Sequence, residues 1–156
     1  MTLGIPKFAA PAGEARWIVY ERTGCWAQGL RGEPAAAGLR IHEVRSLADC
    51  WEMLDRFPSS FVVVEVSRSE IGAVLARLAR GEREYPFART AVVAERSLAG
   101  WEWVLREAGA VWFTASRREL CALAAIARRH LEQVPEPEMG LVERIWSRLP
   151  WGKDEG

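Results

Sequence analysis

The stretch FVVVEVSRSE, residues Phe61–Glu70, begins with a continuous apolar run that leads to an acid, Glu65. The run is rich in β-branched residues, which is typical of a strand that is covered by helices on both faces. Glu65 closes the run, and helical spacing of apolar residues begins shortly afterwards. Ligands of open α/β sheets bind outside the carboxyl ends of the strands. Glu65 is therefore a candidate functional residue.

Four further runs of the chain have strand character. They are Arg16–Glu21, Leu39–Ser46, Arg89–Glu95 and Ala110–Ser116. Between the runs, apolar residues recur at helical spacing, and Ser46, Ser67 and Ser116 each precede an acid by three residues, a pattern typical of a helix N-terminus. Residues 23–38 are interrupted by glycine and proline, which predicts a short or broken helix.

This alternation of strands and helices defines the expected fold class. Short links between alternating elements favour parallel strands joined by right-handed crossovers. We expect an α/β protein with the flavodoxin-like (βα)5 architecture, a doubly wound parallel sheet in the strand order 2-1-3-4-5. We expect a flexible arm over residues 1–15, one domain over 16–134, and a linker with a short amphipathic helix over 135–156.

Composition excludes some classes of function. Lys and Arg together number 21, as do Asp and Glu, so the net charge is zero and a nucleic-acid-binding surface is not expected. The N-terminus lacks signal-peptide features, and no stretch approaches the ~20 apolar residues of a membrane span. We expect a cytoplasmic protein.

The residues that most often bind metals are few and scattered. Cys25, Cys50 and Cys121 lie in apolar stretches, which predicts buried thiols in a reducing compartment. No CxxC motif is present, and His42 and His130 are far apart in sequence. We expect neither a metal site nor a cofactor.

The segment REAGAVWFTASRREL, Arg106–Leu120, resembles part of the receiver (CheY-like) domain of bacterial response regulators. In that family a helix ends in Ala-Gly-Ala, the next strand carries an aromatic switch residue, and a lysine completes the active site. The resemblance extends over Arg16–Val134, and VRSLADCWEML, Val44–Leu54, also contributes to it.

Working receivers phosphorylate an aspartate at the end of the third strand. An acidic pair after the first strand holds Mg²⁺, a hydroxyl residue ends the fourth strand, and a lysine ends the fifth. By position, the phosphoacceptor corresponds to Glu65, the acidic pair to Glu21 and Arg22, the hydroxyl residue to Ala94, the lysine to Ser116, and the switch aromatic to Phe113. The resemblance therefore implies a pseudo-receiver with a degenerate phosphorylation site and no enzymatic activity.

Two interpretations of Glu65 are open. It could mimic a phosphorylated aspartate and pair with Arg22, which would hold one conformation permanently. Alternatively, it is an acid at a strand end that is solvated or paired for structural reasons.

The eight tryptophans suggest an interaction surface, since tryptophan is enriched at interfaces. Trp51 and Trp101 fit apolar helix faces and are expected in the core. Trp103 and Trp112 are placed by the resemblance on or near the surface of the fourth and fifth helices and the last strand. Receivers use that surface to dimerise or to bind partners. We expect a protein partner or self-association, including a possible homodimer.

The segment LVERIWSRLPW, Leu141–Trp151, is a second candidate for binding. It resumes helical spacing after a Pro-rich linker, and its candidate partner-binding residues are Leu141, Ile145, Trp146, Leu149 and Trp151. A segment this short needs something to dock on. It could dock on its own domain, on a partner, or on a membrane surface, with the membrane the least favoured.

These observations predict a phosphorylation-independent adaptor or regulatory module. A flavodoxin-like small-ligand-binding protein or enzyme is the first alternative, using an acidic crevice formed by Glu21, Thr23, Glu65 and Glu95. A structural subunit of a larger assembly is the second.

Overall fold

The computed structural model describes residues 14–134. Five strands alternate with five helices in this range. The strands are β1 (Trp17–Tyr20), β2 (Ile41–Val44), β3 (Phe61–Val66), β4 (Arg89–Ala94) and β5 (Trp112–Thr114). The helices are α1 (Cys25–Arg31), α2 (Leu47–Arg56), α3 (Ile71–Glu84), α4 (Glu102–Ala108) and α5 (Leu120–Gln133).

The strands form one parallel sheet in the order β2-β1-β3-β4-β5, which confirms the predicted topology. The central strand β3 pairs with β1 and β4, so that Glu65 lies opposite Val93. All strands point the same way, so Glu21, Glu65 and Glu95 follow or end their strands at one edge of the sheet. We call this edge the carboxyl edge.

Each face of the sheet is covered by its own hydrophobic cluster. On one face, Ile18, Tyr20 and Val64 pack with residues of α2, α3 and α4. On the other, Val19 and Val63 pack with residues of α1 and α5. Covering both faces explains why β3 is apolar throughout rather than alternating.

The three predicted helix starts have different outcomes. Ser46 accepts a hydrogen bond from the Asp49 amide at 3.0 Å, as the capping pattern predicts. Ser67 does not cap α3, because the turn continues to Glu70 and that carboxylate is used elsewhere. Ser116 accepts from the Arg118 amide and begins a 3₁₀-helix, so that α5 starts only at Leu120.

The glycine- and proline-rich segment before β2 folds as predicted. It contains the seven-residue α1 and then a single 3₁₀-turn at Pro34–Ala36. The predicted fourth helix is also divided, into a 3₁₀-helix at Arg96–Trp101 and then α4.

The burial predictions for Trp101 and for two of the three cysteines were wrong. Trp101 is 39% exposed, because the change from 3₁₀ to α geometry at Glu102 breaks the single apolar face that the prediction assumed. Cys121 is exposed because it lies beside the buried stripe of α5 rather than on it, and Cys25 is only partly buried. Cys50 is buried as expected, and burial raises the pKa of its thiol to about 12.

Most of the predicted N-terminal arm and the whole segment 135–156 lie outside the described residues. The predictions for Leu141, Ile145, Trp146, Leu149 and Trp151 therefore remain predictions. Within residues 14–134, no helix is both long enough and apolar enough to cross a membrane.

Candidate functional site

Glu21 lies at the carboxyl edge directly after β1, and its side chain caps α1. The residue is 0% exposed, and its carboxylate accepts hydrogen bonds from the backbone N–H groups of Trp26 at 2.7 Å and Ala27 at 2.9 Å. Both amides belong to the first turn of α1, where backbone N–H groups have no partner within the helix. One carboxylate thus satisfies two such groups and complements the positive end of the helix dipole.

Arg22 points into a polar network beside Glu21. Its Nη2 atom lies 3.2 Å from Glu70 Oε1 and donates to Ser67 Oγ at 3.3 Å. The Tyr20 hydroxyl donates to the same Glu70 carboxylate at 2.8 Å. Burial and the neighbouring Glu70 raise the pKa of Tyr20, so that its hydroxyl stays a donor. This network links β1 to the start of α3.

The sequence did not reveal this network. Tyr20 fits the pattern of a core residue, and Glu70 fits that of a helix-capping acid. The link between them joins residues 50 positions apart, and no local pattern encodes such a contact.

Glu65 is partly buried between these groups. Among the described residues, no ion pair reaches its carboxylate, and the Arg22 guanidinium pairs with Glu70 instead. Of the two interpretations of Glu65, the one that pairs it with Arg22 has no such contact here, because Glu70 and Ser67 hold the guanidinium. Burial, followed by the nearby charge of Glu21, raises the pKa of Glu65, while the Arg22 backbone amide and charge act in the opposite direction.

The other receiver positions are filled by residues with local structural contacts. Ala94 is 1% exposed and belongs to the core. The Ser116 backbone exchanges two hydrogen bonds with the Thr114 hydroxyl, at 2.9 and 3.0 Å. Phe113, at the switch position, is buried in the cluster under α4.

The three acids of the alternative crevice lie at the same edge of the sheet but in different environments. The Glu21 carboxylate is bound to α1, Glu65 is partly buried, and Glu95 is exposed. Within residues 14–134, no group of three or more His, Cys, Asp or Glu residues is arranged to hold a metal ion. Neither the cavity between α2 and α3 nor the groove beside α5 is lined by these three acids or by Thr23.

A second candidate region is the surface formed by α4, β5 and α5, which we call the α4–β5–α5 surface. An open groove of about 740 Å³ crosses it. Trp112 lines this groove together with Cys121 and Ala122 of α5, and the Arg106 guanidinium lies 5.3 Å from the centroid of the Trp112 ring. Trp103 on α4 is 72% exposed and is not among the residues that line the groove, whereas Trp112 is partly buried.

The Trp112 indole N–H lacks a hydrogen-bond partner. Its Nε1 atom is buried and has no hydrogen-bond acceptor within the described part of the chain. A buried donor without a partner is uncommon in folded proteins.

The fold is similar to that of solved receiver-type proteins. A CheY-like protein (TadZ) from Pseudomonas aeruginosa is 16% identical, with 80% of this chain and 98% of that chain covered at a TM-score of 0.57. An orphan response regulator of H. pylori is 19% identical, with 78% and 99% covered at a TM-score of 0.58. A response regulator from Thermotoga maritima is 16% identical, with 76% and 99% covered at a TM-score of 0.57.

The chain therefore has the flavodoxin-like fold of CheY-like receivers, as the sequence predicted. No protein-family model matches it, and no curated protein matches it. At identities this low, the likeness establishes the fold, and the site residues must carry any argument about function.

Proposed function

We propose that this chain is a pseudo-receiver, a receiver-like interaction module that works without phosphorylation. The observation that carries the proposal is the position of the Glu21 carboxylate. It is fully buried and bound to two backbone amides of α1, so it is not free to bind Mg²⁺. Its neighbour in the acidic-pair position, Arg22, adds positive charge there and is paired with Glu70.

The remaining positions support the same conclusion. Phosphoryl transfer depends on metal ions and cationic side chains that stabilise charge in the transition state. Ala94 and Ser116 supply neither the hydroxyl nor the amine expected at their positions. Glu65 has the longer side chain of glutamate and a raised pKa. We therefore expect neither phosphorylation nor enzymatic turnover.

The α4–β5–α5 surface is the proposed binding region. Exposed aromatic rings are costly in water and are enriched among the residues that dominate interface energies. The 72% exposed Trp103 and the groove beside Trp112 provide such rings. The partner is a protein or a second copy of the chain, and segment 141–151 is a second proposed contact. A structural subunit would use the same surface and would differ by remaining in a fixed stoichiometric assembly.

The first test is phosphorylation chemistry on the full chain. We expect acetyl phosphate with Mg²⁺ to give no mass increase, and beryllofluoride with Mg²⁺ to leave the amide NMR signals of Glu65 and Ser67 unchanged. A phosphorylatable receiver treated in parallel verifies the reagents. Stable incorporation at Glu65, or a metal-dependent shift there, would overturn the proposal.

The second test is binding. Sedimentation measures self-association, and affinity capture followed by reconstitution with the purified candidate measures partner binding. Trp103→Ala should weaken the interaction by about tenfold or more, as expected for an interface tryptophan. Phe87→Ala is the matched control, since Phe87 is 46% exposed and lies before β4, at the opposite edge of the sheet.

A chain that ends at Val134 separates the contribution of segment 141–151 from that of Trp103. If both Trp103→Ala and this truncation bind like the full chain, the proposed surfaces are wrong.

A further inference from the structure

A cavity of about 340 Å³ lies at the amino edge of the sheet, opposite the carboxyl edge discussed above. It is bordered by α2, α3, the loop before β4, and the turn between α4 and β5. Trp51 and Leu54 form one wall, Leu78 a second, and Val111 part of the floor. Its volume is within the range of natural small-molecule sites, and its walls combine apolar side chains with several polar ones.

Arg77 is one of the charged residues that line this cavity. Its guanidinium lies 5.1 Å from the centroid of the Trp51 ring, and Nη1 is 3.9 Å from Glu84. Its Nε atom is buried, and no acceptor among residues 14–134 bonds to it. Because this atom is shielded from the cavity, a ligand would meet the terminal Nη groups of Arg77, and Nη1 has only the long contact with Glu84.

Two further polar side chains line the cavity. Thr90 lies on the same face of β4 as the core residues Val92 and Ala94, and its hydroxyl has no hydrogen-bond partner among the described residues. The Tyr85 hydroxyl donates to Asp55, and burial, with this contact, raises the pKa of Tyr85 to about 12. Tyr85 is therefore protonated at neutral pH, and its proton is directed to Asp55 rather than to a ligand.

Gly81 keeps one side of the cavity open. It lies inside the 14-residue α3, where glycine is less favourable than alanine. A Cβ atom built at Gly81 would meet no heavy atom within 4 Å. A larger side chain fits at this position without backbone strain, and it would fill part of the cavity.

The charges around the cavity indicate the type of ligand. Arg77 and Arg89 line it together with the exposed acid Glu82, and Asp55 accepts from the lining Tyr85. The Arg89 guanidinium already donates to the carbonyls of Pro86 and Ala88, whereas Glu84 reaches Arg77 only at the limit of an ion pair, so Arg77 is the cation available to a ligand. A guanidinium binds a carboxylate through parallel N–H donors, and in Arg77 the terminal Nη groups would serve. The flat Trp51 ring and the aliphatic walls favour a flat apolar body.

We infer that this cavity binds a small aromatic carboxylic acid, with the carboxylate on Arg77 and the rings against Trp51 and Leu78. The ligand would lie between α2 and α3, away from the α4–β5–α5 surface. The inference is independent of the pseudo-receiver proposal, and either can fail without the other.

The test is NMR titration of the full chain with naphthoate and with naphthamide, which has the same rings but no charge. Naphthoate should shift the amide signals of Thr90 and Val111 and should bind about tenfold more tightly than naphthamide. Arg77→Met should abolish this preference. Absence of saturable binding at millimolar naphthoate, or equal affinity of the two compounds, would overturn the inference.

A pair of glycine variants locates the site. Gly81→Leu fills the cavity and should weaken naphthoate binding by about tenfold or more. Gly72→Leu is the matched control, because Gly72 also lies in α3 with open space around it but does not line the cavity. Thermal melts of both variants verify folding. Naphthoate binding that survives in Gly81→Leu would place the ligand elsewhere and contradict the assignment.

Discussion

At the scale of single residues, Glu21 shows how one side chain can serve stability at a position that resembles a metal ligand. Its burial would be unfavourable without partners, and the amides of Trp26 and Ala27 provide them. The contact also fixes the start of α1, a helix of only seven residues that has no side-chain cap from Gly24.

Glu21→Ala should destabilise the protein. It leaves two backbone donors of α1 without their acceptor, so the free energy of unfolding should fall by about 1–3 kcal/mol. Urea denaturation followed by circular dichroism measures the change. Glu52→Ala, an exposed acid on α2, should change it by less than about 0.5 kcal/mol. An equal effect of the two substitutions would contradict the capping role.

Glu65 should make the protein less stable at neutral pH than in mild acid. Its pKa is raised in the folded state, so the folded protein binds a proton at Glu65 more readily than the unfolded chain does. The ionised carboxylate therefore lowers the free energy of unfolding, and this loss of stability disappears as the pH falls and Glu65 is protonated. Glu65→Gln should therefore stabilise the protein at pH 7. The gain should shrink as pH falls through the raised pKa and vanish below the ordinary value of 4.5.

Paired urea denaturation curves of the Glu65→Gln and parent chains across this pH range test the expectation. A variant that is destabilised at neutral pH would instead indicate a favourable partner for the carboxylate.

At the scale of elements, the polar network of Tyr20, Arg22 and Glu70 joins β1 to α3. Tyr20 is buried, whereas the Arg22 side chain is 53% exposed. A hydrogen bond protected from water contributes more than an ion pair open to solvent. The tyrosine contact should therefore be the stronger part of the link.

Double-mutant cycles measure this difference. The cycle of Tyr20→Phe with Glu70→Ala should give a coupling energy of about 1 kcal/mol. The cycle of Arg22→Ala with Glu70→Ala should give less, about 0.5 kcal/mol or below, and should weaken further in high salt. A larger coupling in the arginine cycle would reverse this assignment.

The elements also show which features the sequence could predict. The strands and their order were predictable because the apolar run of β3 and the helical spacing around it are local patterns. The cap at Ser46 was predictable for the same reason. The pattern at Ser67 failed because α3 begins only after Glu70, whose carboxylate contacts the Tyr20 hydroxyl and Arg22 instead.

The candidate site was only partly predictable. Its positions followed from the receiver resemblance, but the partners of its side chains depend on how the elements pack. The contact between Glu21 and the first turn of α1 exists only after β1 and α1 are assembled. The cavity between α2 and α3 combines residues from four parts of the chain, and no motif marks it.

At the scale of the whole molecule, the two hydrophobic clusters share the same five strands. Val63 and Val64 are neighbours in β3 and belong to opposite clusters. Loss of either cluster therefore exposes the strands that hold the other. The domain should unfold as one cooperative unit, as most single domains of this size do.

Coincident transitions test this expectation. Far-ultraviolet circular dichroism reports the helices, and near-ultraviolet circular dichroism reports the packed tryptophans, so both should change at the same urea concentration. Separate midpoints would indicate that the faces unfold independently. Leu105→Ala on one face and Leu123→Ala on the other should each shift both signals together.

The tie between Glu21 and α1 has an evolutionary consequence. If the chain descends from a metal-binding ancestor, a return to that chemistry could not occur by restoring the missing residues one at a time. Each step that released the carboxylate for a cation would first weaken the fold that selection must preserve. The loss of catalysis would then be difficult to reverse, because α1 would depend on the carboxylate that had once bound the metal.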